Sequence, residues 1–494
     1  MIELLVSIGI SLAAFAVLLA FIVFIHEYGH FKVARLCGIR VDTFSIGFGP
    51  AMLKWTDKKG TVWKIAAIPL GGFVKFFGDA NAASAGTSTD EHEEHPMTTQ
   101  FNSEKDRLAA VLTEEEKKVC FHFKPVWQRM AVVAAGPFSN FILGAVIFAI
   151  LFATVGTQEI TPVVGRVQAE TAADEAGFEA GDKILTLNGR RVRDFTDMAT
   201  RVKLSSGETL TFEVERDGRE LTLIAVPKRV TQTDGFGNEV RVGQLGIVAF
   251  TDPVIGVVID DSTAARAGLE AGDRVLSVDG QPIFTWSDIG LVTEGRAGET
   301  VPVIIERDGQ ELTRNVEIYS VTVTDTEGNE LSFDTLGLGP KRDPLQRLGP
   351  AAAAKAGVEQ VGEVLGVTVR YLGRLISFKE DPRQLGGPVK IAKYAGQAAE
   401  AGFNPAYEIP LTDRILISLQ TFINLAALIS VSIGFMNILP IPVLDGGHLV
   451  YYAYEAIAGR PLSDRIQGIG FRIGLAIVGT FMIFVIVNDV VGLF

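Results

Sequence analysis

Cysteine is almost missing from this chain: Cys37 and Cys120 are the only two in 494 residues. Both lie early, so the long middle of the sequence carries no disulfide framework. Histidine is scarce too, at six. Positive charge is in deficit, with 45 Lys and Arg against 58 Asp and Glu, and the net charge of −13 argues against a nucleic-acid partner. Charge of either sign vanishes from four runs, 4–25, 130–158, 415–444 and the shorter 473–487. About 20 apolar residues cross a hydrocarbon core of ~30 Å, so these are four candidate spans. A mean hydropathy of +0.29 with 48% hydrophobic residues agrees. The alternative for the first run is a cleaved leader, but it has no basic start and no A-x-A site, and it leads straight into histidines.

Basic residues near span ends set orientation. Nothing basic precedes Leu4 or follows Arg472. Lys32, Arg35, Arg40, Lys124 and Arg129 flank the segment between spans one and two, and Arg460 and Arg465 lie between spans three and four. Both termini and the segment 159–414 are therefore expected outside, and both cysteines in the cytosolic segment.

The length allows two to four domains, and the middle of the chain repeats. "AGFEAGDKILTLNG" (176–189) returns as "AGLEAGDRVLSVDG" (267–280), with Gly181 and Gly272 lying 91 positions apart. The same offset joins "GET" at 207 and 298, "ERDG" at 215 and 306, "GNE" at 237 and 328, and Pro162 and Pro253. Two copies of one domain of about 90 residues follow. Each reads as short β-branched strands separated by Gly and Asp turns, with one Ala-rich helical turn. The A-G-x-x-A-G-D element and its "NG" or "DG" hairpin resemble the PDZ domain. That likeness implies binding of extended peptides or C-termini along a sheet edge. The competing expectation is a pair that fills space or excludes bulky substrates.

The first run ends in "FIVFIHEYGHF" (21–31). Ionisable side chains are costly at membrane depth and need a reason to be there. Residues four apart share a helix face, so His26 and His30 can reach one metal while Glu27 sits beside its open position. This is the H-E-x-x-H pattern of zinc hydrolases, in which the ion acidifies water and the glutamate takes the proton. No third histidine follows in "HEYGHFKVARLCG". Far along the chain, span three is expected to end in "NILPIPVLDGGH" (437–448), where Asp445 is an acid closing an apolar helix and in need of a partner.

Taken together, H-E-x-x-H, "IPLGGFVKF" (68–76), "GPFSN" (136–140), the repeated domain, "GGPVKIAK" (386–393) and "NILPIPVLDGGH" resemble the site-2 protease family of intramembrane zinc metalloproteases over nearly the whole chain. The resemblance implies that His26, His30 and Asp445 hold zinc and that Glu27 is the general base. It further implies that the segment around Gly71 and Gly72 receives substrate as an added strand, and that Asn437, Pro440 and Pro442 hold substrate. For Asn140 a role near the zinc stands beside a plain hydrogen bond within the helix bundle. His448 is expected near the site without being a ligand. Segment 386–403 reads as a surface helix at the membrane shaping substrate entry, or as a linker helix.

The fold class expected is an α-helical multi-pass membrane protein with four transmembrane helices, a short membrane-associated β element and two tandem β-rich PDZ domains. Residues 1–160 form the first half of the protease core, 161–250 and 251–340 the two PDZ domains, and 341–494 the second half. An acidic stretch, 79–118, is expected as a flexible cytosolic insertion; its His92 and His95 read as a solvated patch or a loose metal site. The expected activity is intramembrane cleavage of single-pass proteins, of the anti-sigma factor or remnant signal peptide kind, in a bacterial inner membrane. The PDZ domains would then be periplasmic and the active site near the cytoplasmic side. Partners are membrane substrates, the lipid bilayer, and peptides or C-termini at the PDZ domains, with no nucleic acid. The alternative is a non-catalytic membrane scaffold that collects partners through its PDZ pair.

Overall fold

A computed structural model describes residues 2–78, 104–233, 239–324, 330–380, 382–403 and 410–491. His92 and His95 lie outside them, as does most of the acidic stretch. Two units emerge, one built from the chain's two ends and one from its middle.

In the first unit, four helices are long and apolar enough to cross a membrane. Span one, Ile2–Leu36, has no proline to interrupt it and runs for 35 residues, about 52 Å at 1.5 Å each. It stops where Gly38 takes φ +68°, letting Ile39 N–H reach Ala34 O and Gly38 N–H reach Arg35 O. Span two is Val126–Thr154, span three Leu411–Ile438 and span four Asp464–Val491. Spans one, two and three pack on one another, and helix Pro350–Ile376 lies against span two.

Between spans one and two the chain forms two long strands, β1 (Val41–Thr56) and β2 (Val62–Phe76). Both bend, so residues 43–46 lie between 72–75 on one side and 62–65 on the other, while 53–56 pair beyond with 62–65. Among the described residues, 72–76 have a neighbour on one side alone and form an edge. The hairpin is fixed to span one by a core of Phe31, Ala34, Val41, Phe44, Val74 and Phe76. Arg35 adds a bond to Asp57 at 3.0 Å. Its far end exposes Met52, Leu53, Trp55 and Ile68.

Three expectations need amendment. Part of the acidic stretch is helical, Glu104–Val111 and Glu114–Val119. Thr113 accepts from Glu116 N–H while the Glu116 carboxylate accepts from Thr113 N–H, a capping box that starts the second of these. Asp445 does not close span three. That helix ends at Ile438, because Pro440 and Pro442 cannot continue the ladder, and Asp445 is instead the first residue of a further helix, Asp445–Ala458. The segment expected as a surface helix forms Pro388–Glu400, and it is not wholly superficial: Ala395 and Ala398 are buried in a cluster with Leu18, Ile22, Leu425 and Ala426.

The second unit spans residues 155–347, and the repeat is written in its strands. A four-stranded sheet in the spatial order Arg190–Arg191, Lys183–Leu187, Leu210–Arg216, Arg219–Ala225 is matched by Gln281–Pro282, Arg274–Val278, Thr300–Arg307, Gln310–Glu317. Each copy closes with a short strand, Ile247–Ala249 or Leu338–Pro340, paired to its own first strand. The aspartate of each A-G-D element is buried and held by the arginine of the E-R-D-G turn: Asp182 by Arg216 and Asp273 by Arg307, both at 2.6 Å. Each copy has its own core, one around Phe212 and one around Ile305.

Candidate metal centre

His26 and His30 stand one helical turn apart on span one and both are 8% exposed. Their Nε2 atoms are 3.2 Å apart. The chain's return at Asp445 brings Oδ2 to 3.2 Å from His26 Nε2 and 3.4 Å from His30 Nε2. Two residues of one helix and one from the far end of the chain thus converge on a point.

Hydrogen bonding accounts for only part of the convergence: a proton on His26 Nε2 serves one neighbour at a time, which leaves His30 Nε2 and Asp445 Oδ2 facing one another at 3.4 Å. His30 Nδ1 donates to the Val132 carbonyl at 2.8 Å, so in the neutral ring Nε2 carries a lone pair. Asp445 Oδ2 is an acceptor, is buried, and makes no hydrogen bond. Two acceptors that face one another at that distance repel unless a proton or a cation lies between them. Ligand bonds of about 2.0–2.1 Å to a tetrahedral zinc put neighbouring donor atoms roughly 3.3–3.4 Å apart. The three separations observed match, and two imidazoles with one carboxylate are a donor set zinc accepts.

Span two makes room for this. A side chain at Gly136 would run into His30 Nε2 and come within 2.9 Å of His26 Cε1. Pro137 next to it removes the hydrogen bond that the Val133 carbonyl would otherwise accept and loosens the turn whose Val132 carbonyl holds His30. The glycine and proline of "GPFSN" therefore have separate physical uses. Ser139 ties the same turn to span one through the Ile25 carbonyl at 2.9 Å.

A cavity of about 380 Å³ opens on the cluster, and Glu27, His26, His30, Asp445 and His448 all line it. Gly71, Gly72 and Asn437 line it as well; Asn140, Pro440 and Pro442 do not. At Gly72 a Cβ would come 3.0 Å from Glu27 Cγ and 2.8 Å from Ser45 O, so glycine is what lets the sheet edge lie against span one at the glutamate. Gly71 has φ +117°, open to glycine, and a Cβ there would strike the Phe48 ring. Asn140 is fully buried, with Nδ2 3.3 Å from His26 Nδ1.

One pairing escaped the sequence reading. Arg129, counted there as a flanking charge, forms a two-pronged bond with Glu455 at 3.0 and 2.6 Å, with both side chains almost buried. Glu455 lies on the helix that begins with Asp445, so the pair fastens that helix to the start of span two. A glutamate in the apolar stretch "LVYYAYEAIAG" was the available signal.

The chain can be set beside known proteins. The profile of "Peptidase family M50" matches residues 14–481. A Mesorhizobium japonicum protein whose name classes it as a zinc metalloprotease is 35% identical over 483 residues, 98% of this chain and 99% of that one. "Metalloprotease MmpA" of Caulobacter vibrioides is 33% identical over 480 residues, 97% and 95% of the two chains. "Regulator of sigma-E protease RseP" of Escherichia coli is 33% identical over 501 residues, 97% and 98%. Among solved structures, the PDZ domain of an SdrC-like protein from Listeria monocytogenes is 19% identical over 19% of this chain and 90% of its own, with a TM-score of 0.15, too low to add to what the repeat says. These likenesses run through both membrane halves and leave the scaffold alternative without support. The chain belongs to peptidase family M50, the site-2 protease type of membrane zinc metalloendopeptidase.

Proposed function

We propose that this protein cleaves single-pass membrane proteins within or near the bilayer, with His26, His30 and Asp445 as the zinc ligands and Glu27 as the general base. The observation that carries the reading is the meeting of three potential ligand atoms, two imidazole nitrogens and a carboxylate oxygen, at 3.2–3.4 Å on a cavity that Glu27 also lines. Zinc, when bound, supplies Lewis acidity that acidifies water and polarises a carbonyl. Glu27 takes the proton from the attacking water and passes it to the leaving amine. A transmembrane helix hides its amides in its own hydrogen bonds and in lipid. The free edge at 72–76 supports the next part of the reading: it offers backbone partners to an unwound segment, with Gly72 keeping that edge against Glu27 and Gly71 turning the chain beside Phe48. Asn437, at the end of span three, lines the same cavity, and Pro440 and Pro442 leave backbone beside it outside any helix, a second hold on the substrate.

The two repeated modules are read as PDZ domains on the outer, periplasmic side of a bacterial inner membrane, and the active site as facing the cytoplasm. Lys32, Arg35 and Arg40, following the histidines, support that sidedness. The exposed Met52, Leu53, Trp55 and Ile68 support a membrane-associated hairpin. Placed between spans two and three, the modules would hold back substrates with an intact external domain, or bind the C-termini of trimmed ones; anti-sigma factors and remnant signal peptides fit that order. The test is a single-pass model substrate with wild type and Glu27→Gln. Cleavage should disappear while zinc content stays; unchanged cleavage by Glu27→Gln would remove the glutamate from its role.

A further inference from the structure

Span two holds both histidines from behind, but by different means. His30 is fixed by a backbone carbonyl, which can only accept, so its proton sits on Nδ1 and its Nε2 lone pair faces the cluster. The group behind His26 is the Asn140 side chain, whose two ends are alike in shape and opposite in hydrogen bonding. In the orientation seen, Nδ2 lies 3.3 Å from Nδ1, and an amide N–H donated there leaves the ring proton on Nε2. A protonated Nε2 cannot bind a metal. Asn140 Oδ1, meanwhile, is buried and has no partner, so no bond resists a half-turn of the amide. After that turn Oδ1 accepts from Nδ1–H, and the Nε2 lone pair points at the cluster as that of His30 does.

The main chain at this position is locked. Ser430 of span three donates to the Asn140 carbonyl at 3.0 Å, and a Cβ at Gly434 would stand 3.1 Å from Asn140 Cβ. The amide can therefore rotate in place but not withdraw. We propose that Asn140 is a positioning residue for His26, setting its tautomer by accepting from Nδ1–H, and not a substrate contact. The proposal rests on the assignment of His26, His30 and Asp445 as ligands. Outer-shell acceptors of this kind change metal affinity by about 10- to 100-fold when removed.

The test uses full-length protein in detergent, with zinc affinity measured by competition against a chromophoric chelator and the unfolding temperature of the metal-free protein as control. Asn140→Leu should bind zinc about 10- to 100-fold more weakly. Asn140→Asp, an acceptor at both ends, should bind at least as tightly as wild type. A packing role predicts the reverse order, since a buried carboxylate fits an apolar setting worse than leucine. A role as amide donor predicts equal losses in both variants. Either of those patterns, or wild-type affinity in Asn140→Leu, overturns the proposal. If Asn140→Leu does not accumulate, Asn140→Ala takes its place with the same expected order. Absence of stoichiometric zinc in wild type would instead bring down the ligand assignment on which this rests.

Discussion

Gly136→Ala puts one methyl group where span two meets the two histidines. The added Cβ would overlap His30 Nε2 and lie 2.9 Å from His26 Cε1, so the rings or the helix must give way. Overpacking of this kind costs about 1–3 kcal/mol. The collision is with His30 Nε2, the nitrogen proposed to hold zinc, and if the whole cost falls on the zinc-loaded state then, at about 1.4 kcal/mol per tenfold, zinc should bind roughly 5- to 150-fold more weakly. Gly144→Ala is the control. It lies two turns further along the same helix, about 12 Å away, and its Cβ would press on Val431 of span three, not on the site. Zinc affinity and cleavage of a model substrate should fall in Gly136→Ala, while Gly144→Ala loses thermal stability with its zinc affinity kept. Equal zinc affinity in wild type and Gly136→Ala, or equal loss in both variants, would refute the reasoning, because the effect would then not come from contact with His30 Nε2.

Three further outcomes are expected. Asp445→Ala should lower zinc occupancy together with cleavage, since two histidines alone hold zinc weakly, and a chelator should reproduce the loss in wild type; full occupancy in Asp445→Ala would exclude it as a ligand. Arg129→Met leaves Glu455 buried and unpaired, a loss of about 3–5 kcal/mol, whereas Arg129→Met with Glu455→Leu should recover much of it; thermal unfolding of the single and double variants checks this. In the second repeated module, burial by itself raises the Asp273 carboxyl, but the Arg307 guanidinium and the Glu270 amide outweigh it and hold the group below the ordinary carboxylate range. Its contribution to stability is therefore fully present above the unfolded value of about 3.9 and lost as pH falls through the lower folded one. Hydrogen exchange in strands 274–278 and 300–307 should accelerate in that acid range alone; acceleration near neutral pH would contradict it.

The sequence by itself determined the parts that are local. Four charge-free runs can only be apolar helices, because nothing else closes its own backbone hydrogen bonds over that length in lipid. A constant offset of 91 between Gly181 and Gly272 and their neighbours commits the middle of the chain to one supersecondary unit used twice. His26 and His30, four apart on a helix, share a face whatever the rest of the protein does. The tertiary structure decided what depends on distance through space. It placed Asp445 against the histidines by ending a helix at Ile438 and starting another at Asp445 itself. It paired Arg129 with Glu455, turned the Val132 carbonyl toward His30, and buried Asn140 behind His26, outside the cavity lining. Periodicity along a chain reports which residues share a face of one element; which faces of different elements meet is set by packing of the whole, and no local pattern encodes it.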